Sequence, residues 1–173
     1  MAKTEQLCFS AWATAWGPVG GVWGDEGLRR LILPHYPMDQ LLALLAWEHS
    51  GAVRDDKPFE PLVALTRDYF NGKSADFDAI PCRLPAQGSL GGLVLRQCRQ
   101  IPYGQTRSYL AVAELIKRPD AARAVAAALG KNDIPLVIPC HRVTYSDGRL
   151  GGFSAPGGVA IKKRMLDLER RPK

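Results

Sequence analysis

The chain has no long hydrophobic run. In its 173 residues no stretch approaches the roughly 18 apolar residues that argue for a membrane-spanning helix. The longest candidate, Leu41 to Trp47, stops at Glu48 and reads as a buried helix. The N-terminus, Met1-Ala2-Lys3-Thr4-Glu5, lacks the apolar segment behind a basic start that marks a secretory leader. The expected setting is the cytosol, or a nucleus-like compartment, with no membrane partner. Cysteine is scarce. The four present, Cys8, Cys82, Cys98 and Cys140, lie far apart with no Cys-x-x-Cys pair, which argues against a disulfide framework in a cytosolic chain. A structural zinc would need Cys8, His35, His49 and Cys82 to converge, and their spacing does not support it. No metal and no cofactor are expected. Repeats and low-complexity tracts are also missing.

What is there suits ordinary globular units. The length fits one large domain or two small ones, and a hydrophobic content of 46% supplies a core. Charge divides the chain. Residues 1–88 carry 8 Lys+Arg against 11 Asp+Glu, whereas residues 89–173 carry 15 against 6. An acidic half joined to a basic half points to two units, the second able to meet a polyanion.

The first forty residues read as a hairpin or small meander, with turns at Gly17-Pro18-Val19-Gly20-Gly21 and at Asp25-Glu26-Gly27. Asp39 is expected to cap a helix over 40–49, and Pro61 to open another that runs through Phe70 and closes at Asn71-Gly72. The four tryptophans, Trp12, Trp16, Trp23 and Trp47, are expected to pack this half's core. The stretch 80–92, rich in proline, glycine and serine, reads as the linker. Beyond it, 93–100 leads into the turn Ile101-Pro102-Tyr103-Gly104. Thr106 or Ser108 then caps a helix over 109–116, and Pro119-Asp120 starts another over 121–129 that Gly130 ends. Two short helices joined by a tight turn in the basic half form a helix-turn-helix pattern. The second is thin, with six alanines in its nine residues. Arg123 is its only long side chain before Lys131, suited to enter a base stack or to pair with phosphate.

Ile138-Pro139-Cys140-His141-Arg142-Val143 carries the chemistry. The apolar residues Ile134, Leu136, Val137 and Ile138 end at Pro139 and deliver Cys140 into a turn beside His141. A thiolate is a strong nucleophile, and a neighbouring histidine or other cationic group lowers the thiol pKa. A small buried cysteine beside an ordinary polar residue is the bland alternative.

Three segments resemble the O6-alkylguanine-DNA alkyltransferases, also called methylated-DNA–protein-cysteine methyltransferases. They are Ile101-Pro102-Tyr103-Gly104-Gln105-Thr106 with Ser108-Tyr109, then Ala121-Ala122-Arg123-Ala124-Val125, and Asn132 followed by Pro139-Cys140-His141-Arg142-Val143. A looser match runs through Pro18-Val19-Gly20 and through Leu65, Tyr69, Phe70, Gly72 and Phe77. The resemblance implies that Cys140 accepts the alkyl group in a single turnover. His141 deprotonates it through a water, and Glu169 orients His141. Tyr109 donates toward a guanine ring nitrogen, and Asn132 holds the turn before the active-site segment. It further implies that Arg123 fills the gap left by a flipped nucleotide on a recognition helix with Ala122, Ala124, Ala126 and Ala127. Thr106, Ser108 and Tyr109 flank the DNA. The pocket would include Val143, Ser154, Phe153, Pro139 and Leu129, with the carbonyls of Cys140 and Val143 taking the guanine amino group.

The implied partner is double-stranded DNA bearing alkylated guanine, and also O4-alkylthymine, bound by a monomer. The expected fold is α+β. A small mixed N-terminal scaffolding domain spans 1–85, and a mostly helical, winged-helix-like domain containing the helix-turn-helix spans 90–173. The chain departs from the family pattern at Leu90-Gly91, Val94-Leu95 and Phe153, and glycines 151, 152, 157 and 158 suggest a pocket loop able to admit larger alkyl groups. Two other readings stand beside this one. A DNA-binding protein or lesion sensor without chemistry would lack the acceptor cysteine, and a Cys-His hydrolase would need an acyl substrate and an oxyanion hole.

Overall fold

The structure is a computed structural model that describes residues 5–170. The chain forms two compact units, Met1–Arg83 and Leu84–Lys173. In the first, β1 (Cys8–Thr14), β2 (Gly17–Gly24) and β3 (Gly27–Ile32) precede α1 (Met38–Glu48), the short β4 (Val53–Arg54) and α2 (Glu60–Phe70). The sheet runs β3-β2-β1-β4. Its first three strands are antiparallel, and β4 joins β1 in parallel.

The glycines at 17–21 are not a turn. They form the first half of β2, paired with 10–14 of β1, and the reversal falls at Ala15-Trp16. Close packing explains the composition. A Cβ on Gly20 would stand 2.9 Å from the Leu45 side chain, and one on Gly21 2.8 Å from the Phe59 ring. Successive strand residues face opposite sides, so α1 covers one face of the sheet and Phe59 the other. Leu41 and Leu45 of α1 close a core with Phe9, Val22 and Ile32. Opposite them, Trp12 Nε1 donates to Thr66 Oγ1 of α2 at 2.8 Å. Two further expectations are corrected. Pro37, not Asp39, occupies the N-cap of α1; Asp39 lies in the first turn and its side chain makes no capping bond. Trp47 is 79% exposed on the outer side of that helix, whereas Trp12 is buried.

The second unit contains α3 (Leu90–Arg99), β5 (Arg107–Ser108), α4 (Tyr109–Leu115), α5 (Ala122–Leu129), β6 (Val143–Thr144) and α6 (Gly158–Glu169). The linker is shorter than its composition suggested. At its start, Leu28 N donates to Pro81 O and Arg83 N to Leu28 O, so 81–83 extend the first unit. At its end, Ser89 Oγ accepts from Gly92 N at 3.0 Å, and this cap lets α3 begin at Leu90 despite two glycines. Ser108 caps α4 in the same way, through Ala111 N at 2.9 Å. The helix starting at Pro119 opens as a 3-10 turn, Pro119–Ala121, before α5.

Helices α4 and α5 form the helix-turn-helix. In their connection Lys117 takes the left-handed conformation (φ 60), and Arg118 N reaches back to Ala113 O at 2.8 Å. This is a Schellman-type ending built on lysine in place of glycine. Val94, Val112, Val125 and Met165, one from each of the four helices, are fully buried. The parallel pairs Arg107↔Val143 and Ser108↔Thr144 tie the entrance of α4 to the segment that follows Cys140.

Candidate active site

Asn132 organises the loop that ends at the cysteine. Its Oδ1 accepts from Ile134 N at 3.1 Å, and its Nδ2 donates to Ile138 O at 2.9 Å. The same amide donates to Cys140 Sγ at 3.1 Å. Between these anchors Ile134, Leu136, Val137 and Ile138 are all buried. Leu136 adopts φ 75, a conformation that costs a branched residue on the order of 1 kcal/mol and that its burial sustains. Cys140 opens a 3-10 turn over Cys140–Arg142 and is 5% exposed.

Burial pushes the Cys140 thiol up, against the Asn132 donor and the Lys162 ammonium, which draw it down. Burial likewise lowers His141, opposed by its bond to Glu169, so the ring is neutral near pH 7. His141 Nε2 lies 2.7 Å from Glu169 Oε1. Burial alone would raise the Glu169 carboxyl, but the bonds from His141 and Arg142 hold it down at about 2. Arg142 Nε donates to Glu169 Oε2 at 2.9 Å, Arg142 Nη1 to Ile101 O at 2.6 Å, and Gly104 N to Glu169 Oε2 at 3.0 Å. An ionised carboxylate only accepts, so the proton of the neutral imidazole sits on Nε2 and Nδ1 is its basic atom.

A cavity of about 370 Å³ opens above the sulfur. Of the residues expected there, Tyr109, Leu129, Phe153 and Ser154 line it with Cys140, and Ala126 of α5 joins them. Pro139 and Val143 do not; both are buried behind the wall. The two carbonyls expected to meet a guanine amino group each already accept one bond. Cys140 O takes Val143 N, and Val143 O takes Lys162 Nζ at 2.7 Å. A carbonyl has a second lone pair. Burial, then the neighbouring Tyr145, raises the Tyr109 hydroxyl, which is therefore a protonated donor. Gly151 (φ 72) lets the chain pass this hydroxyl, because a Cβ there would collide with it.

On α5, Arg123 and Ala127 share an exposed face, while Ala122 and Ala124 are half-buried. Thr106 is exposed, and the Ser108 oxygen is engaged as the α4 cap. Three residues escaped the sequence reading of the site. Arg142 stood in the quoted motif without a role. Tyr145 also lines the cavity and meets Tyr109 edge-on at 5.1 Å; nothing in the sequence pointed to it. Lys162 sits in a basic run that reads as surface, yet Lys162, Met165, Leu166 and Glu169 form one buried helical stripe whose i, i+3, i+4, i+7 spacing was the available signal. Among the described residues no group of three or more His, Cys, Asp or Glu side chains is arranged to hold a metal ion, and no helix is long and apolar enough to cross a membrane.

Comparison with known proteins adds to this geometry. Residues 92–171 match the family described as 6-O-methylguanine DNA methyltransferase, DNA binding domain. The chain is 42% identical over 123 residues to a methylated-DNA–protein-cysteine methyltransferase of Mycolicibacterium paratuberculosis, covering 70% of this chain and 72% of that protein. It is 40% identical over 137 residues to the inducible one of Bacillus subtilis, covering 78% and 74%. The crystal structure of Mycobacterium tuberculosis OGT in complex with DNA is similar at TM-score 0.76 and 30% identity, covering 94% of this chain and 92% of that one.

Proposed function

The chain belongs to the methylated-DNA–protein-cysteine methyltransferases, DNA-binding proteins of DNA repair, and from that premise we propose that Cys140 takes the alkyl group from guanine O6 in a single turnover. One observation carries the assignment: Cys140 forms the floor of an open cavity, next to a neutral histidine bonded to a carboxylate. The thiol proton passes through a water to His141 Nδ1, while Glu169 keeps the ring oriented. The sulfur attacks the saturated alkyl carbon, the S–C bond forms, and the bond from that carbon to O6 breaks. The electron pair leaves with the guanine. Tyr109 donates toward a ring nitrogen as the base departs, so the proton lost by the thiol is balanced by one gained by guanine. The thioether does not revert.

The target atom lies within a duplex, so the nucleotide must be flipped out, at a cost of a few kcal/mol. Arg123 on the exposed face of α5 fills the gap, and the basic half of the chain offsets the cost by neutralising phosphates. Ser154 and Phe153 bound the base. O4-alkylthymine is taken by the same pocket. The protein acts as a monomer in the cytosol or a nucleus-like compartment, with the first unit as scaffold. A lesion sensor without chemistry is disfavoured by the thiol itself.

The test is intact-protein mass after incubation with a duplex containing one O6-methylguanine, beside Cys140→Ala. The expected outcome is one added methyl group in the parent and none in the variant. No gain in either, with duplex binding retained, would move the assignment to the sensor.

A further inference from the structure

Lys162 has no task in the chemistry above, and its position calls for one. The side chain is completely buried on α6. Its ammonium donates to Val143 O at 2.7 Å and Gly152 O at 3.3 Å, and lies 3.5 Å from the Tyr109 hydroxyl. None of these acceptors is charged, and among the described residues no carboxylate forms a salt bridge with it. Burying an ammonium without an anion is costly. A methionine would fill the same space without that cost, so a purely structural role does not account for the charge.

The groups around the ammonium say what the charge is for. Tyr109 faces it from α4, and Cys98 from α3. Cys140, His141 and Arg142 face it from the 3-10 turn. Glu169 shares its helix but is engaged by His141 and Arg142. Of the neighbours that feel the ammonium, the Cys140 sulfur is the one the reaction requires to become an anion. The ammonium favours that anion and the two thiols favour the ammonium, while burial pushes Lys162 down to about 8.

We propose that Lys162 is a positioning residue for alkyl transfer. Its buried ammonium is the counter-charge of the Cys140 thiolate, and its bonds to the Val143 and Gly152 carbonyls hold two segments of the pocket at a fixed distance from that charge. The inference rests on the reading of Cys140 as the acceptor. When the thiol proton leaves toward His141, sulfur gains a negative charge opposite Lys162. As the S–C bond forms and the bond to O6 breaks, that charge departs with the purine.

The test separates charge from hydrogen bonding. Lys162→Gln keeps an amide donor for the carbonyls and removes the charge, and Lys162→Arg keeps the charge. The readout is the pH profile of carboxamidomethylation of Cys140 by iodoacetamide, resolved from Cys98 by peptide mass. In Lys162→Gln the midpoint is expected to rise by about one pH unit, an about tenfold loss of thiolate below both midpoints, with Lys162→Arg following the parent. A parent-like profile in a folded Lys162→Gln overturns the proposal. Should glutamine prevent folding, the Lys162 side-chain titration is followed by NMR in the parent and in Cys140→Ser. A lower midpoint in Cys140→Ser supports the pairing, and an unchanged one overturns it. Neither readout involves DNA, so failure of methyl transfer by the parent would remove the acceptor reading separately.

Discussion

Asn132 makes three bonds through one side-chain amide: it closes the loop 132–138 at both ends and aims a donor at the Cys140 sulfur. Glu169 is the equivalent node on the other side, where His141, Arg142 and the Gly104 amide converge on one carboxylate. Its folded value of about 2 lies below the ordinary 4.5. The stabilisation is therefore fully present above pH 4.5 and is lost as pH falls through 2. His141 adds in the same direction. Its folded pKa is depressed by burial, so the unfolded chain takes up that proton first as pH drops through 6.5. Glu169→Gln is expected to cost on the order of 3 kcal/mol at neutral pH, because the Arg142 charge stays buried. The gap to the parent in thermal melts should shrink below pH 4.5. A gap that does not change with pH would contradict the ionised-carboxylate account.

At the scale of elements, local chemistry sets most boundaries. Ser89 and Ser108 supply the caps of α3 and α4. The connection between α4 and α5 departs from the preferred solution, since its left-handed residue is the exposed Lys117. Lys117→Gly removes the Cβ penalty there and is expected to stabilise the helix pair by about 1 kcal/mol. That corresponds to a rise in Tm of about 3 °C, checked by calorimetry; a fall in Tm would mean that the lysine makes a compensating interaction.

At the scale of the molecule, the charge division decides where DNA binds. The excess of 15 basic over 6 acidic residues lies beyond residue 88, on the side of the chain that carries α5 and the cavity. Duplex affinity is expected to fall linearly on a log–log plot against salt. Arg123 sits on the exposed face of α5, so Arg123→Ala should slow methyl transfer from duplex DNA by about tenfold. It should leave reaction with a free alkylated base unaffected. Equal loss on both substrates would place Arg123 in the chemistry instead of the duplex.

The amino-acid sequence by itself determined what short-range rules govern. It showed the division into an acidic and a basic half, the helix pair with its serine cap, and the delivery of Cys140 by an apolar run ending in proline. These are legible because caps, prolines and local charge act within a few residues of where they are written. The composition at Gly17–Gly21 misled for the converse reason. There glycine answers Leu45 and Phe59, which approach only once the sheet has formed. Composition likewise could not place Trp47 outside the core. Only the tertiary structure brought α6 against the Cys140 turn, set Glu169 on His141 across 28 residues of chain, and buried Lys162 among uncharged acceptors. The physical reason is that a buried charge is tolerated only through partners distant in sequence, and a basic run read locally has no sign of them.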